Sequence, residues 1–171
     1  MRWLLGAEVV GTVASLPGRT VGPGLLASLR YRRFAANLTA RYDLGASAPL
    51  QGGGTLYASL FSATIQVCAL QRVGARGELE LCALGAVGAL SANATSLDRS
   101  TPEATVYAGA GASVGFTWAL GSAFGVRIHV DAVANIVRAR HTVFDGGVER
   151  EVWLAPPAAA VFGLGPVVHF G

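Results

Sequence analysis

Residues 104–141 pair apolar with small or polar side chains at a two-residue period, the period of a β-strand. Before the tight turn Gly121-Ser122-Ala123, the even positions are Ala108, Ala110, Ala112, Val114, Phe116, Trp118 and Leu120. The odd positions are Thr105, Tyr107, Gly109, Gly111, Ser113, Gly115 and Thr117. After the turn, Phe124, Val126, Ile128, Val130, Ala132, Ala134 and Ile136 share one face, and Arg127, His129, Asp131 and Asn135 share the other. These residues predict a long hairpin with one wholly apolar face. A soluble sheet also has an apolar and a polar face, so the period alone does not say which face points outward.

Composition bears on that question. Only 13% of the 171 residues are charged and 52% are hydrophobic, against about 25% charged in an average soluble domain. So few charges would leave much of a soluble surface bare, and a surface that meets lipid accounts for them better. All 13 basic residues are Arg, scattered except for Arg30-Tyr31-Arg32-Arg33, and the net charge is +3. This is not the basic stripe of a nucleic-acid-binding protein. The Arg30–Arg33 group is expected to mark a turn at a membrane surface.

Uncharged stretches at 44–71, 104–126 and 152–171 are long enough for transmembrane helices of about 20 residues. Three features oppose that reading: 23 glycines run through the chain, connections such as Gly121-Ser122-Ala123 are short, and the charges in 124–141 alternate by two. Strands are expected at 2–16, 24–32, 34–44, 54–70, 78–92, 104–120, 124–141 and 151–170, the last broken near Pro156-Pro157. The connections, at 17–23, 32–33, 45–53, 71–77, 93–103, 121–123 and 142–150, are alternately longer and shorter. Eight strands with that alternation predict an all-β, antiparallel, up-and-down transmembrane β-barrel, forming a single domain over 1–171. Met1-Arg2-Trp3-Leu4-Leu5 has the start of a signal peptide, but Gly6 and Glu8 interrupt it and it reads as the first strand. Whether a signal peptide or further domain precedes it is left open.

The aromatic residues form bands. Trp3, Tyr31, Phe34, Trp118, Phe124 and Phe170 fall at the short-turn ends of their strands. Tyr42, Tyr57, Tyr107, Phe144 and Trp153 fall near the long-loop ends, although Tyr107 and Trp153 have the wrong parity for lipid contact. Two aromatic girdles are expected where a membrane barrel meets water. Cys68 and Cys82 are equidistant from Ala75, so a hairpin turning there sets them opposite each other. A disulfide is then geometrically open and implies an oxidising compartment; the alternative is two small buried thiols. Neither these cysteines nor His129 with Asp131 makes a metal set. No metal or cofactor is expected.

The chain ends with Phe162, Leu164, Pro166, Val168 and Phe170 on one face. Gly165, Val168 and Phe170 match the spacing of the C-terminal signal of bacterial outer-membrane proteins, with Gly163 where a polar residue is usual and Gly171 after the aromatic. With this tail the whole chain resembles the small eight-stranded outer-membrane barrels, the type formed by the membrane domain of OmpA. The resemblance rests on patterning and the tail. It implies a porin-like cell-envelope protein of a Gram-negative outer membrane, both termini in the periplasm, inserted by the barrel-assembly machinery and surrounded by lipid. A monomer that contacts no nucleic acid is expected.

If the apolar faces meet lipid, the opposite faces line the lumen. Parity then places inside Glu8, Thr12, Ser28, Arg30, Asn37, Thr39, Arg41, Ser62, Thr64, Gln66, Glu78, Glu80, Arg127, His129, Asp131 and Asn135. The polar network among them is Glu8, Arg30, Arg41, Glu80, Arg127, His129, Asp131 and Asn135. Buried charges must be paired, and eight strands leave room for side chains and little more. The first expectation is a salt-bridged, plugged lumen in a structural or surface-interaction protein that is not an enzyme. The alternatives are a narrow pore or small-ligand binder, a soluble lipocalin-like carrier with its apolar face inward, and an outer-membrane lipid-modifying enzyme. The last would draw on His129, His141 or His169 with Asp131, but no serine matches and no Gly-x-Ser-x-Gly elbow is present.

Overall fold

The computed structural model describes residues 1–16, 18–49, 55–95, 103–137, 140–145 and 148–171. For 48–49, 93–95, 103–104, 140–145 and 148–154 it describes the backbone alone. Every regular element among the described residues is a strand: β1 Arg2–Val13, β2 Thr20–Tyr31, β3 Phe34–Pro49, β4 Thr55–Val73, β5 Gly77–Thr95, β6 Glu103–Ala119, β7 Phe124–Val137, β8 Arg140–Asp145, β9 Val148–Leu154 and β10 Ala158–Phe170. Eight of them close a barrel in the order β1-β10-β7-β6-β5-β4-β3-β2, and all neighbouring pairs are antiparallel. Closure leaves no free sheet edge, the condition for a sheet to sit in lipid.

Burial fixes which face is outside. Leu38, Ile65, Val67, Val87, Val106 and Ile136 are each more than half exposed, while Glu8, Glu80 and Arg127 are buried. The barrel is thus apolar outside and charged inside, the reverse of a lipocalin-like carrier, which is excluded. The aromatics of the short-turn end project outward as a band, with Trp3, Tyr31, Phe34, Trp118, Phe124 and Phe170 all 46–63% exposed. At the other end Tyr42 and Tyr57 face outward and Tyr107 is buried inside. The side chains of Phe144 and Trp153 lie outside the described residues.

The short turns are 32–33, 74–76 and 120–123. Gly74 lies at φ +66°, a conformation that costs glycine nothing. The expected strands are too short at several ends. β2 begins at Thr20, not 24, and includes Pro23. Its ladder with β1 runs up to Thr12↔Thr20, whereas its ladder with β3 ends at Gly24↔Arg41. Pro23, which has no N–H to donate, therefore sits where one of the two ladders has stopped. β3, β4 and β5 also extend into the expected loops 45–53, 71–77 and 93–103; residues 50–54 and 96–102 lie outside the described residues.

The largest correction is at the C-terminal end. The expected strand 151–170 is two elements, and much of the expected loop 142–150 is strand. β8 pairs with β9 as a separate hairpin, and β10 alone closes the barrel. The break falls at Pro156-Pro157, which cannot donate to a ladder. Their carbonyls are taken by Asn135: its backbone N–H donates to Pro157 O at 2.8 Å and its Nδ2 donates to Pro156 O at 2.8 Å. Residues 138–139 and 146–147 lie outside the described residues.

Candidate functional site in the barrel lumen

Register and parity bring the interior charges together. Arg127 on β7 lies between β10 and β6, opposite Gly165 and Thr117. Its side chain crosses the lumen and is fully buried. Nη1 donates to Glu8 Oε1 at 2.9 Å, and Nη2 and Nε donate to Glu80 Oε2 at 3.1 and 3.3 Å. Glu8 comes from β1 and Glu80 from β5, so one guanidinium ties three parts of the wall. Arg30 on β2 donates to Glu78 and to the other oxygen of Glu80. Thr117 Oγ1 donates to Glu80 Oε1 at 3.2 Å, and Asn37 Nδ2 approaches Glu80 Oε2 at 3.3 Å and Gln66 Oε1 at 3.1 Å. Glu80 thus meets four donors, as a fully desolvated carboxylate requires.

His129 continues the cluster. Its Nδ1 lies 3.0 Å from Arg127 Nη1. Nδ1 also lies 3.6 Å from Glu8 Oε1, and Nε2 faces Asp131 Oδ2 at 3.7 Å. Gly163 is the cross-strand partner of His129, and a Cβ there would collide with the imidazole. A glycine on β10 thereby makes room for the ring.

Six residues of the expected polar network, Glu8, Arg30, Glu80, Arg127, His129 and Asp131, form one continuous cluster. The other two do not join it. Arg41 donates from Nε to Ser62 at 2.9 Å and lies 3.7 Å from Asp43. Asn135 serves the Pro156-Pro157 break. The cavity lined by Glu8, Arg41, Thr64, His129 and Asp131 is about 10 Å³, room for roughly one water.

Some interior residues escape the sequence reading. Asp43 is fully buried beside Arg41, and extending the parity 37, 39, 41 by one step would have found it. Thr20, which bonds Thr12 at 2.6 Å, was lost with the start of β2. Toward the long loops the interior is apolar: Leu56, Leu60, Leu90 and Tyr107 pack in one cluster. There, Leu56 to Phe61 carries large apolar residues at both parities (Leu56 and Leu60, Tyr57 and Phe61), which blurs the alternation.

Cys68 and Cys82 face each other across β4 and β5 and form a disulfide. They lie on the inner face, where Asn37 Nδ2 is 3.3 Å from Cys68 Sγ. Glu80 is close enough to make a metal-ligand grouping with them, but both sulfurs are consumed by the bond and no thiolate is left. Replacing both cysteines by alanine is expected to keep the barrel, because the ladder continues on both sides. The expected loss is about 3 kcal/mol, from reopening a 14-residue separation in the unfolded chain. Denaturant midpoints with and without reductant check it.

No family model and no curated protein matches the sequence. Solved structures do match it along its length. Neisserial surface protein A is 12% identical, with 99% of this chain and 96% of that one covered and a TM-score of 0.67. OprG from Pseudomonas aeruginosa is 10% identical, covering 99% and 95%, with a TM-score of 0.70. A major outer membrane protein from Thermus thermophilus is 13% identical, covering 99% and 100%, with a TM-score of 0.68. The fold is that of the bacterial outer-membrane barrels.

In this barrel the expected C-terminal signal residues occupy the closing seam. Phe170 pairs with Trp3, both exposed to lipid, and Val168 pairs with Leu5. Gly165 faces inward, where a Cβ would strike the Ala7 carbonyl, so the closing strands approach closely beside Pro166. Of the other two histidines, His169 lines the short-turn mouth and the side chain of His141 lies outside the described residues.

Proposed function

We propose that this outer-membrane barrel is a structural or surface-interaction protein whose lumen does not conduct. The observation that carries the reading is the fully buried Arg127 spanning the lumen from Glu8 to Glu80. Opposed charges in direct contact across the lumen close a path; they do not line one. The barrel sits with its short turns toward the periplasm and its longer connections outward, where a partner would be met. It acts as a monomer and reaches the membrane through the barrel-assembly machinery.

The reading assigns no catalysis. His129 Nδ1 lies 3.0 Å from Arg127 and its Nε2 3.7 Å from Asp131, so the imidazole is set among the charges of the plug. Nucleophilic chemistry at a lipid would need a free base beside a hydroxyl.

The test is electrical. Protein reconstituted into planar bilayers is expected to give no discrete current steps above the lipid baseline, while showing the heat-dependent gel shift of a folded barrel. Reproducible steps that persist in the folded fraction would assign the narrow-pore reading instead.

A further inference from the structure

The short-turn mouth of the lumen carries charge that the plug does not use. Arg72 has the inward parity of Gln66 and Cys68, and its register partner is Glu78. The Glu78 carboxylate, however, goes to Arg30. Arg2 is the register partner of Arg30 on the neighbouring strand. Arg32 and Arg33 make the β2–β3 turn, and Arg76 lies in the β4–β5 turn. Arg2, Arg32, Arg33, Arg72 and Arg76 are all exposed. Among the described residues none of the five has a carboxylate partner.

These arginines surround two adjoining cavities in the mouth. The larger, about 480 Å³, is lined by Arg32, Arg33, Leu70, Gln71, Arg72 and Glu78. The smaller, about 330 Å³, takes in Arg2, Arg30, Arg76 and His169 and shares Arg72 and Glu78 with the first. Among the described residues Glu78 is the only acidic side chain lining either cavity, and Leu70 the only large apolar one. Such a lining offers little to an acyl chain and a great deal to a hydrated anion. Guanidinium groups present paired N–H donors that match phosphate oxygens, and like charges gathered without a counter-charge repel until an anion joins them. The group is also held in place. Arg33 O accepts from Leu70 N at 2.8 Å, which fastens the turn bearing Arg32 and Arg33 to the strand bearing Arg72. The Arg32 guanidinium rests 5.4 Å from the centre of the Tyr31 ring. Arg32 itself stands at φ +52°, in the left-handed region that glycine adopts at lower cost, so the shape of the turn gives no reason for an arginine there.

We propose that the short-turn mouth binds a soluble compound carrying at least two phosphate groups. Arg32 and Arg33 hold one group, Arg2 and Arg76 hold the other, and Arg72, common to both cavities, bridges them. A single phosphate would satisfy the arginines of one cavity and leave those of the other uncompensated. The inference rests on the mouth and not on closure of the lumen beyond it, so the current measurement leaves it untouched.

Calorimetric titration of the full chain, folded in non-ionic detergent, tests it with inorganic pyrophosphate as the probe. Saturable binding of one pyrophosphate per chain is expected, with orthophosphate about tenfold weaker. The triple variant Arg33→Gln/Arg72→Gln/Arg76→Gln should weaken pyrophosphate binding by on the order of a hundredfold. Arg19→Gln, which removes an exposed arginine at the opposite end, should leave it unchanged. The gel shift of the unheated sample confirms folding. If the triple variant fails to fold, Arg33→Gln and Arg72→Gln are measured singly, each with a smaller loss expected. Absence of saturable binding at millimolar pyrophosphate would overturn the proposal, and so would unchanged binding by the folded mouth variants. An equal loss in Arg19→Gln would overturn it by showing that only net charge matters. Equal affinity for orthophosphate would remove the two-group ligand, and displacement of pyrophosphate by cardiolipin micelles would reassign the site to a lipid headgroup.

Discussion

Arg127→Met is expected to destabilise the folded barrel by about 3–5 kcal/mol. Methionine approximates the length of the side chain, so little of the loss comes from an empty space. It comes from Glu8 and Glu80, which would remain buried with their shared cation gone. Glu80 would keep Arg30, Thr117 and Asn37. Glu8, whose only arginine partner among the described residues is Arg127, would be left worse off. Adding Glu8→Gln to Arg127→Met should therefore recover part of the loss, and more of it than adding Glu80→Gln. Denaturant unfolding of lipid-reconstituted protein measures all three. A single variant within about 1 kcal/mol of the parent would remove the structural role of the plug. If that variant also passed ions, the pore reading would replace it.

Ile65→Arg is expected to cost about 2–4 kcal/mol in a bilayer. Ile65 lies near the middle of β4 and is 64% exposed. On a soluble protein a substitution at so open a site would change stability by only about 0.5 kcal/mol. The size of the effect therefore reports which solvent the outer face meets, and the same unfolding measurement supplies it. A loss below about 1 kcal/mol in lipid would mean that Ile65 is not at membrane depth.

How much of this was legible depends on what each residue's neighbours declare. Between Phe124 and Ile136 every other side chain changes character, so the face assignment follows from the period and Arg127 could be placed inside. The symmetry of Cys68 and Cys82 about Ala75 gave their register. The Arg30–Arg33 group was expected at a turn; the β2–β3 turn is at 32–33, while Arg30 is buried in the lumen. Three kinds of information were out of reach. Pro23 reads as a loop residue unless one knows that a neighbouring ladder ends beside it. The Pro156-Pro157 break was visible, but the pairing of β8 with β9 was not, because pairing partners are a property of two segments and not of one. And parity says that Arg41 and Arg127 share the lumen without saying that they belong to different clusters, which depends on height along the barrel axis.

The link from Arg127 to Glu8 joins residues 119 positions apart, and the one from Arg30 to Glu80 joins residues 50 apart. β1 and β10, the two ends of the barrel, are hydrogen-bonded neighbours. Hairpins such as β4–β5 can zip locally, but these ion pairs, between β2 and β5 and between β1 and β7, need distant parts of the sheet to curl towards one another. Before that moment each of the four charges needs water or another polar partner, because in hydrocarbon an unpaired charge is prohibitively expensive. Curling of the sheet, entry of its wall into lipid and pairing of these charges are therefore expected to go together. An order of events is written into which residues share the centre of the barrel.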